Sequence, residues 1–225
     1  MLREEFAGAG KTGASFLSPL ERRIARRVLP KIPAWLETHH LTMLTLVWCA
    51  LIVVFSYLAT GDLRWLWGVS LMVVCQYVTD HFDGKIGKYR DTGLVKWGFY
   101  MDHLLDYVFL CSILAGYALI LPERSRPHLF LLLMIFGAYM VNSFLAFAAT
   151  AEFRISHLKF GPTEFRLALV TTNALLILYG TRGMERALPY VAAGAFVVLC
   201  LLVYRTQKDI WRLDMKHKAS ASEAD

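Results

Sequence analysis

The chain has 225 residues, of which 56% are hydrophobic, and its mean hydropathy is +0.44. This apolar content exceeds that of an ordinary soluble domain, and the apolar runs reach the roughly 20 residues that a helix needs to cross a bilayer. The formal net charge of +6 does not indicate nucleic-acid binding, because no soluble face remains to carry a groove that follows a phosphate backbone. We therefore expect an all-α fold in one integral membrane domain.

The N-terminal segment is polar, and we expect residues 1–14 to be disordered. From residue 15 the apolar side chains Leu20, Ile24 and Val28 recur at helical spacing among arginines. That pattern predicts an amphipathic helix that lies on the membrane interface before the first span. The same arginines also favour a cytoplasmic position for this segment, and the two interpretations are compatible.

Six apolar runs predict six transmembrane helices. Turn and cap residues such as Gly61, Pro122 and Gly180 separate them. The membrane domain is predicted over residues 15–215, and the polar tail at 216–225 is expected to be disordered. The predicted spans are about 41–60, 65–82, 94–121, 127–150, 166–181 and 187–205.

The distribution of basic residues predicts the orientation of these spans. With the N-terminus inside, most of the 24 lysines and arginines fall on the cytoplasmic side, as short loops prefer. Both termini are then cytoplasmic, and the compact size favours a prokaryotic plasma membrane. The basic residues that this topology leaves outside are Arg64, Arg124, Arg126, Arg182 and Arg186.

Four aspartates interrupt the apolar chain in the second and third predicted spans. Asp80 and Asp83 are three residues apart, and Asp102 and Asp106 are four apart, so each pair shares one face of a helix. Carboxylates at membrane depth cost on the order of 3 kcal/mol each unless they are compensated. Two antiparallel helices can bring both pairs together, and such a cluster suits Mg²⁺ or Mn²⁺. We expect two ions, as in many sites for displacement at phosphorus.

Small and basic residues between the aspartates fit a phosphate-bearing substrate. Glycines let a ligand approach the backbone closely, and cationic side chains neutralise phosphate oxygens. The pattern therefore predicts a diphosphate pocket beside the metal site, open to the cytoplasm. The glycines are Gly84, Gly87 and Gly98, and the basic residues are Lys85, Lys88 and Arg90.

The spacing of these residues resembles the signature of the CDP-alcohol phosphotransferases. That signature runs DxxDGxxAR, eight or nine residues, then GxxxDxxxD. The six-helix plan also agrees with the architecture of that family. The positions that match in register are Asp80, Asp83, Gly84, Gly98, Asp102 and Asp106.

The resemblance implies a membrane enzyme of phospholipid synthesis. Such an enzyme cleaves a CDP-linked alcohol or lipid, releases CMP, and passes the phosphoryl-alcohol group to a hydroxyl acceptor. The resemblance further implies that Asp80, Asp83 and Asp102 bind the metals, while Asp106 lies with them in the metal site and serves as the catalytic base. It also implies a homodimer. The residues expected to line the cytidine diphosphate pocket are Gly84, Lys88 and Gly98.

The chain departs from the signature at one point, because Gly87-Lys88 stands where the pattern has Ala-Arg. The exchange keeps the charge but replaces a bidentate fork with a single ammonium. Short fragments, including Asp102-His103, look more like the choline and ethanolamine phosphotransferase branch. In that branch a CDP-amino alcohol donates to diacylglycerol. The other arrangement, in which CDP-diacylglycerol donates to a small polar alcohol, stays open.

Other interpretations of the acidic cluster remain. An intramembrane prenyltransferase also binds a diphosphate through aspartates and magnesium. Its aspartates, however, lie in two motifs far apart in a larger bundle, whereas the four aspartates here lie within one helix pair. A divalent-cation transporter or sensor would place carboxylates in membrane helices, yet would not explain the glycines. A third interpretation is a solvated loop in which the carboxylates pair with Lys85, Lys88, Arg90 and Lys96.

Several further polar residues are candidates without a spacing argument. His81 and His103 flank aspartates, but hard cations prefer oxygen, so packing or support of the site is the favoured role. The upstream region that contains His39, His40, Thr42 and Thr45 shows no assignable register. After the fourth span, Arg154, His157, Lys159 and Arg166 could bind phosphate, although their number on the cytoplasmic side is explained by topology alone.

Overall fold

The computed structural model describes residues 27–91, 94–150 and 162–222. Long helices form most of this part of the chain, and each contains most or all of one predicted apolar run, which confirms the all-helical prediction. The N-terminal amphipathic helix was predicted mainly in a region that lies outside the described residues. The helices are α1 (Thr38–Ala59), α2 (Leu66–Arg90), α3 (Val95–Ile120), α4 (Arg126–Thr150), α5 (Pro162–Tyr179) and α6 (Arg182–Ser222).

Four of these helices are long and apolar enough to cross a membrane: α1, α3, α4 and α6. The protein is therefore membrane-embedded. The apolar run of α2 is diluted by Gln76, Asp80 and Asp83, and α5 has only 18 residues with polar side chains among them. The prediction of six spans is thus confirmed for four helices, and the other two carry much of the buried polar chemistry.

Within the described residues, short turns connect α1 to α2, α3 to α4 and α5 to α6 where the sequence predicted breaks. In the turn before α2, the Asp62 side chain accepts a hydrogen bond of 2.9 Å from the backbone N–H of Arg64. Gly180 follows α5 with a φ of +73°, a left-handed conformation that glycine adopts without a side-chain penalty. Asp91 ends α2 in the same region of backbone space, with a φ of 50°. These features confirm the predicted breaks at 60–65 and near 180.

Small residues set the distance between α1 and its two neighbours, α2 and α3. A Cβ atom added at Gly116 on α3 would lie 2.3 Å from Ser56 Oγ on α1, and one added at Gly68 on α2 would lie 2.8 Å from the Phe55 ring. Helices in a membrane associate largely through such close packing, because lipid is as apolar as leucine. These contacts pack α1 closely against α2 and α3, the two helices that carry the aspartates.

A buried polar network joins α5 to α2 and α3. The Tyr117 hydroxyl donates to Asn173 Oδ1 over 2.9 Å, and Asn173 Nδ2 donates to Ser70 Oγ over 3.1 Å. Buried polar groups are costly unless they are paired, so this network fixes the position of α5. Arg166 lies two turns away from Asn173 on the same helix.

Helix α6 is longer than the sequence predicted. It contains 41 residues, or about 60 Å at 1.5 Å per residue, which exceeds the roughly 30 Å of a hydrocarbon core. Its last turns, 216–222, are helical where a disordered tail was expected. Lysine, methionine and alanine propagate a helix well, and an ion pair of 3.5 Å joins Asp209 to Arg212 one turn apart.

Candidate functional site

Three of the four aspartates converge at one end of the bundle. Asp80 and Asp83 lie on the last turns of α2, and Asp102 lies near the start of α3. One carboxylate oxygen from each lies within 4.8 Å of the others. Carboxylate oxygens in this number and spacing suit a hard divalent cation. The cluster is compatible with a metal site.

This geometry is a consequence of the helical hairpin. Because α2 ends at Arg90 and α3 begins at Val95, the two aspartate pairs lie on adjoining ends of neighbouring helices. Asp83 is buried, with 8% of its surface exposed, and is in the helix. The interpretation as a solvated loop is therefore wrong.

Asp83 is held by a residue that sequence reasoning did not assign. Thr42 Oγ1 on α1 donates to Asp83 Oδ2 over 2.9 Å, and the backbone N–H of Gly84 also donates to the Asp83 carboxylate. Both donors hold the carboxylate in a fixed orientation. The region around Thr42 was recognised in the sequence, but no spacing there relates it to Asp83, which follows 41 residues later.

Arg166 is a second residue whose partners at the site the sequence did not reveal, although it was named as a candidate for phosphate binding. Its Nη2 atom lies 2.8 Å from Asp80 Oδ2 and 3.7 Å from Asp106 Oδ1, and its Nε donates to Gln76 Oε1 over 2.7 Å. Only 8% of the Arg166 side chain is exposed. The topological explanation favoured for Arg166 is thus insufficient, because this arginine points into the bundle and pairs with the aspartates.

The fourth aspartate, Asp106, differs from the three that converge. It lies one turn further along α3 than Asp102, and 41% of its side chain is exposed. The Arg166 guanidinium lies beside it. The structure therefore separates a cluster of three carboxylates from one accessible carboxylate next to an arginine.

The two glycines predicted to line a nucleotide pocket face open space within the described part of the chain. A Cβ atom added at Gly84 or Gly98 would meet none of the described residues within 4 Å. Packing among those residues therefore gives no reason for glycine at either position, in contrast to Gly116. Lys88 is exposed one turn beyond Gly84.

Two of the other basic residues have structural partners. Lys85 Nζ donates to the His81 ring, one turn away on α2. Arg90 donates to several backbone carbonyls of the segment before α1, including Leu36 O at 2.8 Å and Ile32 O at 2.9 Å. The prediction that Arg90 supplies charge to phosphate is wrong, because its guanidinium ties this segment to the end of α2.

His103 does not join the carboxylate cluster. Its Nδ1–H donates to the carbonyl of Phe99 over 2.6 Å, and its ring meets Phe144 edge to face. These residues line an apolar groove of about 460 Å³ between α3 and α4. His81 is stacked near Tyr77 and contacts Lys85. The expectation that both histidines serve packing or support agrees with these contacts, while Arg154, His157 and Lys159 lie outside the described residues.

Residues 39–205 match the CDP-alcohol phosphatidyltransferase family, a segment that contains the whole aspartate cluster. The chain belongs to that family, and membership indicates a transferase of phospholipid synthesis. No curated protein matches the chain.

Proposed function

We propose that this protein transfers a phosphoryl-alcohol group from a CDP-linked donor to a hydroxyl acceptor and releases CMP. The observation that carries the proposal is the convergence of Asp80, Asp83 and Asp102 within the segment that matches the family. Gly84, on the last turns of α2, and Gly98, on the first turn of α3, lie at the same end of the bundle as the aspartates. A diphosphate bound there would have carboxylate-held cations on one side and bare backbone on the other.

Asp80, Asp83 and Asp102 would hold one or two divalent cations, with magnesium or manganese as the expected metal. When bound, such ions neutralise phosphate oxygens and stabilise charge on the attacking and leaving oxygens. The residues present fit this role, because all three ligands are hard oxygen donors within 4.8 Å of one another. The hydrogen bond from Thr42 fixes the orientation in which Asp83 would bind the cation.

Asp106 would act as the catalytic base, at the edge of the same metal site. Its partial exposure leaves the carboxylate accessible to an acceptor hydroxyl. In the proposed step the acceptor oxygen forms a bond to the β-phosphorus, the bond between that phosphorus and the oxygen of CMP breaks, and the acceptor proton moves to Asp106. Phosphoryl transfer of this kind depends mainly on positioning and on charge stabilisation.

Gly84, Lys88 and Gly98 would contact the CDP moiety. Open space at both glycines is what close approach of a ligand to the backbone requires. Lys88 provides an exposed positive charge near the same surface, although its single ammonium cannot reproduce the fork of an arginine. The pocket therefore accepts a diphosphate through charge and backbone access.

The donor belongs to one of two arrangements. We propose the choline and ethanolamine branch first, with a CDP-amino alcohol as donor and diacylglycerol as acceptor, on the short fragments that resemble that branch. The second arrangement pairs CDP-diacylglycerol with a small polar alcohol. In both, the lipid comes from the bilayer. We also propose a homodimer, on the basis of family membership. The distribution of basic residues supports a cytoplasmic position for the site and both termini, and the compact size supports a prokaryotic plasma membrane.

The test is CMP release by the purified protein with Mg²⁺. One set of reactions contains CDP-choline or CDP-ethanolamine with diacylglycerol, and the other contains CDP-diacylglycerol with inositol, serine or glycerophosphate. Turnover in either set establishes the reaction and selects the donor. No turnover in both sets, combined with Mg²⁺ flux into protein-containing vesicles, would replace the proposal with a cation transporter.

A further inference from the structure

Arg166 lies at the point where α5 meets the aspartate site. Its guanidinium contacts Gln76 through Nε and Asp80 through Nη2, and Asp106 lies 3.7 Å from the same Nη2 atom. The Tyr77 and Phe109 rings lie 5.7 and 6.0 Å from its Cζ atom. The side chain is thus bounded by hydrogen bonds in its plane and by aromatic rings nearby.

Such a setting requires a specific arrangement of the guanidinium. A buried cation is costly unless it is paired and hydrogen-bonded. Arg166 meets this requirement through a neutral amide and two carboxylates, and Gln76 itself is only 1% exposed. Gln76 therefore holds the guanidinium at Nε, and Nη2 is directed at Asp80 and Asp106.

The position of Arg166 has a consequence for the carboxylates. One oxygen of Asp80 is engaged by the guanidinium, which restricts the rotation of that side chain and leaves its second oxygen to another partner. Asp106 lies within range of the same nitrogen. A single cation thereby touches one member of the three-carboxylate cluster and the accessible carboxylate beside it.

We propose that Arg166 is a positioning residue and an internal counter-ion of this site, held by Gln76. It orients Asp80 and Asp106, and it competes electrostatically with divalent cations for the negative charge of the cluster. This inference rests on the proposed function only for its effect on turnover. Its effect on metal affinity follows from charge and distance alone.

Because Arg166 would both orient the carboxylates and compete with the cation, one substitution should raise metal affinity and lower kcat. Arg166→Gln removes the positive charge and leaves a polar but shorter side chain. Mn²⁺ should bind about three- to tenfold more tightly, because the dication no longer meets a neighbouring cation. The kcat for CMP release should fall about 100-fold, since Asp80 and Asp106 lose their orienting partner, with little change in KM for the donor.

Direct Mn²⁺ binding, measured by electron paramagnetic resonance on the purified protein without substrate, gives a readout independent of turnover. Asn173→Leu is the matched control, because Asn173 lies on the same helix as Arg166. The substitution removes the hydrogen bonds of Asn173 to Tyr117 and Ser70 without removing charge from the site. It should lower thermal stability and leave Mn²⁺ affinity unchanged. Arg166→Lys keeps the charge, so it should retain near-normal Mn²⁺ affinity while losing kcat through the lost fork.

The inference is overturned if Arg166→Gln binds Mn²⁺ no more tightly than the unmodified protein, or if its kcat falls no further than that of Asn173→Leu. A Gln76→Leu variant supplies a second test, since it leaves every charge in place. Its kcat should fall with Mn²⁺ affinity unchanged, and an unaltered kcat would remove Gln76 from the proposal. If the unmodified protein turns over no CDP donor but the Mn²⁺ result holds, the proposed function fails and the counter-ion role stands.

Discussion

Two helix pairs of this protein handle polarity in opposite ways. Helices α2 and α5 pack together and bury Gln76, Asp83, Arg166 and Asn173. Helices α4 and α6 also pack together, yet only 17% of an apolar 18-residue stretch of each helix is buried. Large apolar side chains such as Leu145 are exposed. In a bilayer the outward face must be apolar, and polar groups must find partners inside.

The difference explains which helices hydropathy detects. An apolar average identifies α4 and α6 because few of their side chains need polar partners, whereas α2 and α5 fall below the same average because they carry buried polar groups. Low hydropathy does not by itself mark the site, since α3 carries Asp102 and Asp106 and is still apolar enough to cross a membrane. Substitutions in these helix pairs, and in α1 and α3 beside them, test this difference.

The largest effect is expected at Asp106. Asp106→Asn keeps the size of the side chain and removes the proposed base, so turnover should fall about a thousandfold while the CDP donor still binds. CMP release and equilibrium binding of the donor measure the two quantities. Asp83→Asn is the matched comparison and should weaken Mn²⁺ binding as well. An active Asp106→Asn enzyme would refute the proposed mechanism.

The next largest effect is expected from a pair of glycine substitutions. Gly84 faces the proposed pocket, whereas Gly116 packs against a neighbouring helix. Gly116→Val inserts a side chain against Ser56 and should lower stability by about 1–3 kcal/mol. Gly84→Val meets open space, so the fold should persist while donor affinity falls. Thermal unfolding and donor binding check the pair. Equal loss of stability in both would contradict the assignment of Gly84 to a ligand-binding surface.

A smaller effect is expected from Thr42→Val, which removes the hydrogen bond to Asp83 with little change in volume. Losing this support for a metal ligand should weaken Mn²⁺ binding about tenfold. Thr171→Val is the control, since the Thr171 hydroxyl bonds only to the carbonyl of Leu167 among the contacts described for it. Equal Mn²⁺ affinity in the two variants would show that Thr42 has no part in the site.

The smallest effect belongs to the apolar pair. Leu145 on α4 is 64% exposed, so Leu145→Ala should change stability by less than about 0.5 kcal/mol and leave CMP release unchanged. Unfolding in detergent together with the CMP assay provides the check. A marked loss of activity would mean that this face of α4 contributes to the reaction, for example by contact with a second copy of the chain.

Some elements could be read directly from the sequence because their information is local. The aspartate pairs are three and four residues apart, which determines a shared helical face whatever the surroundings. Gly61, Pro122 and Gly180 marked the turns for a similar reason, since their backbone preferences act at one position. The role assigned to Arg90 was wrong because charge alone does not tell whether a cation faces a phosphate or a row of carbonyls.

By itself, the sequence determined an all-helical membrane protein, the hairpin that carries the four aspartates, and membership of a family with that signature. Only the tertiary structure decided that Thr42 supports Asp83 and that Arg166 joins Gln76 to Asp80. Those partners are separated by 41, 90 and 86 residues. No local spacing encodes them, because they depend on how the helices rotate and pack against one another.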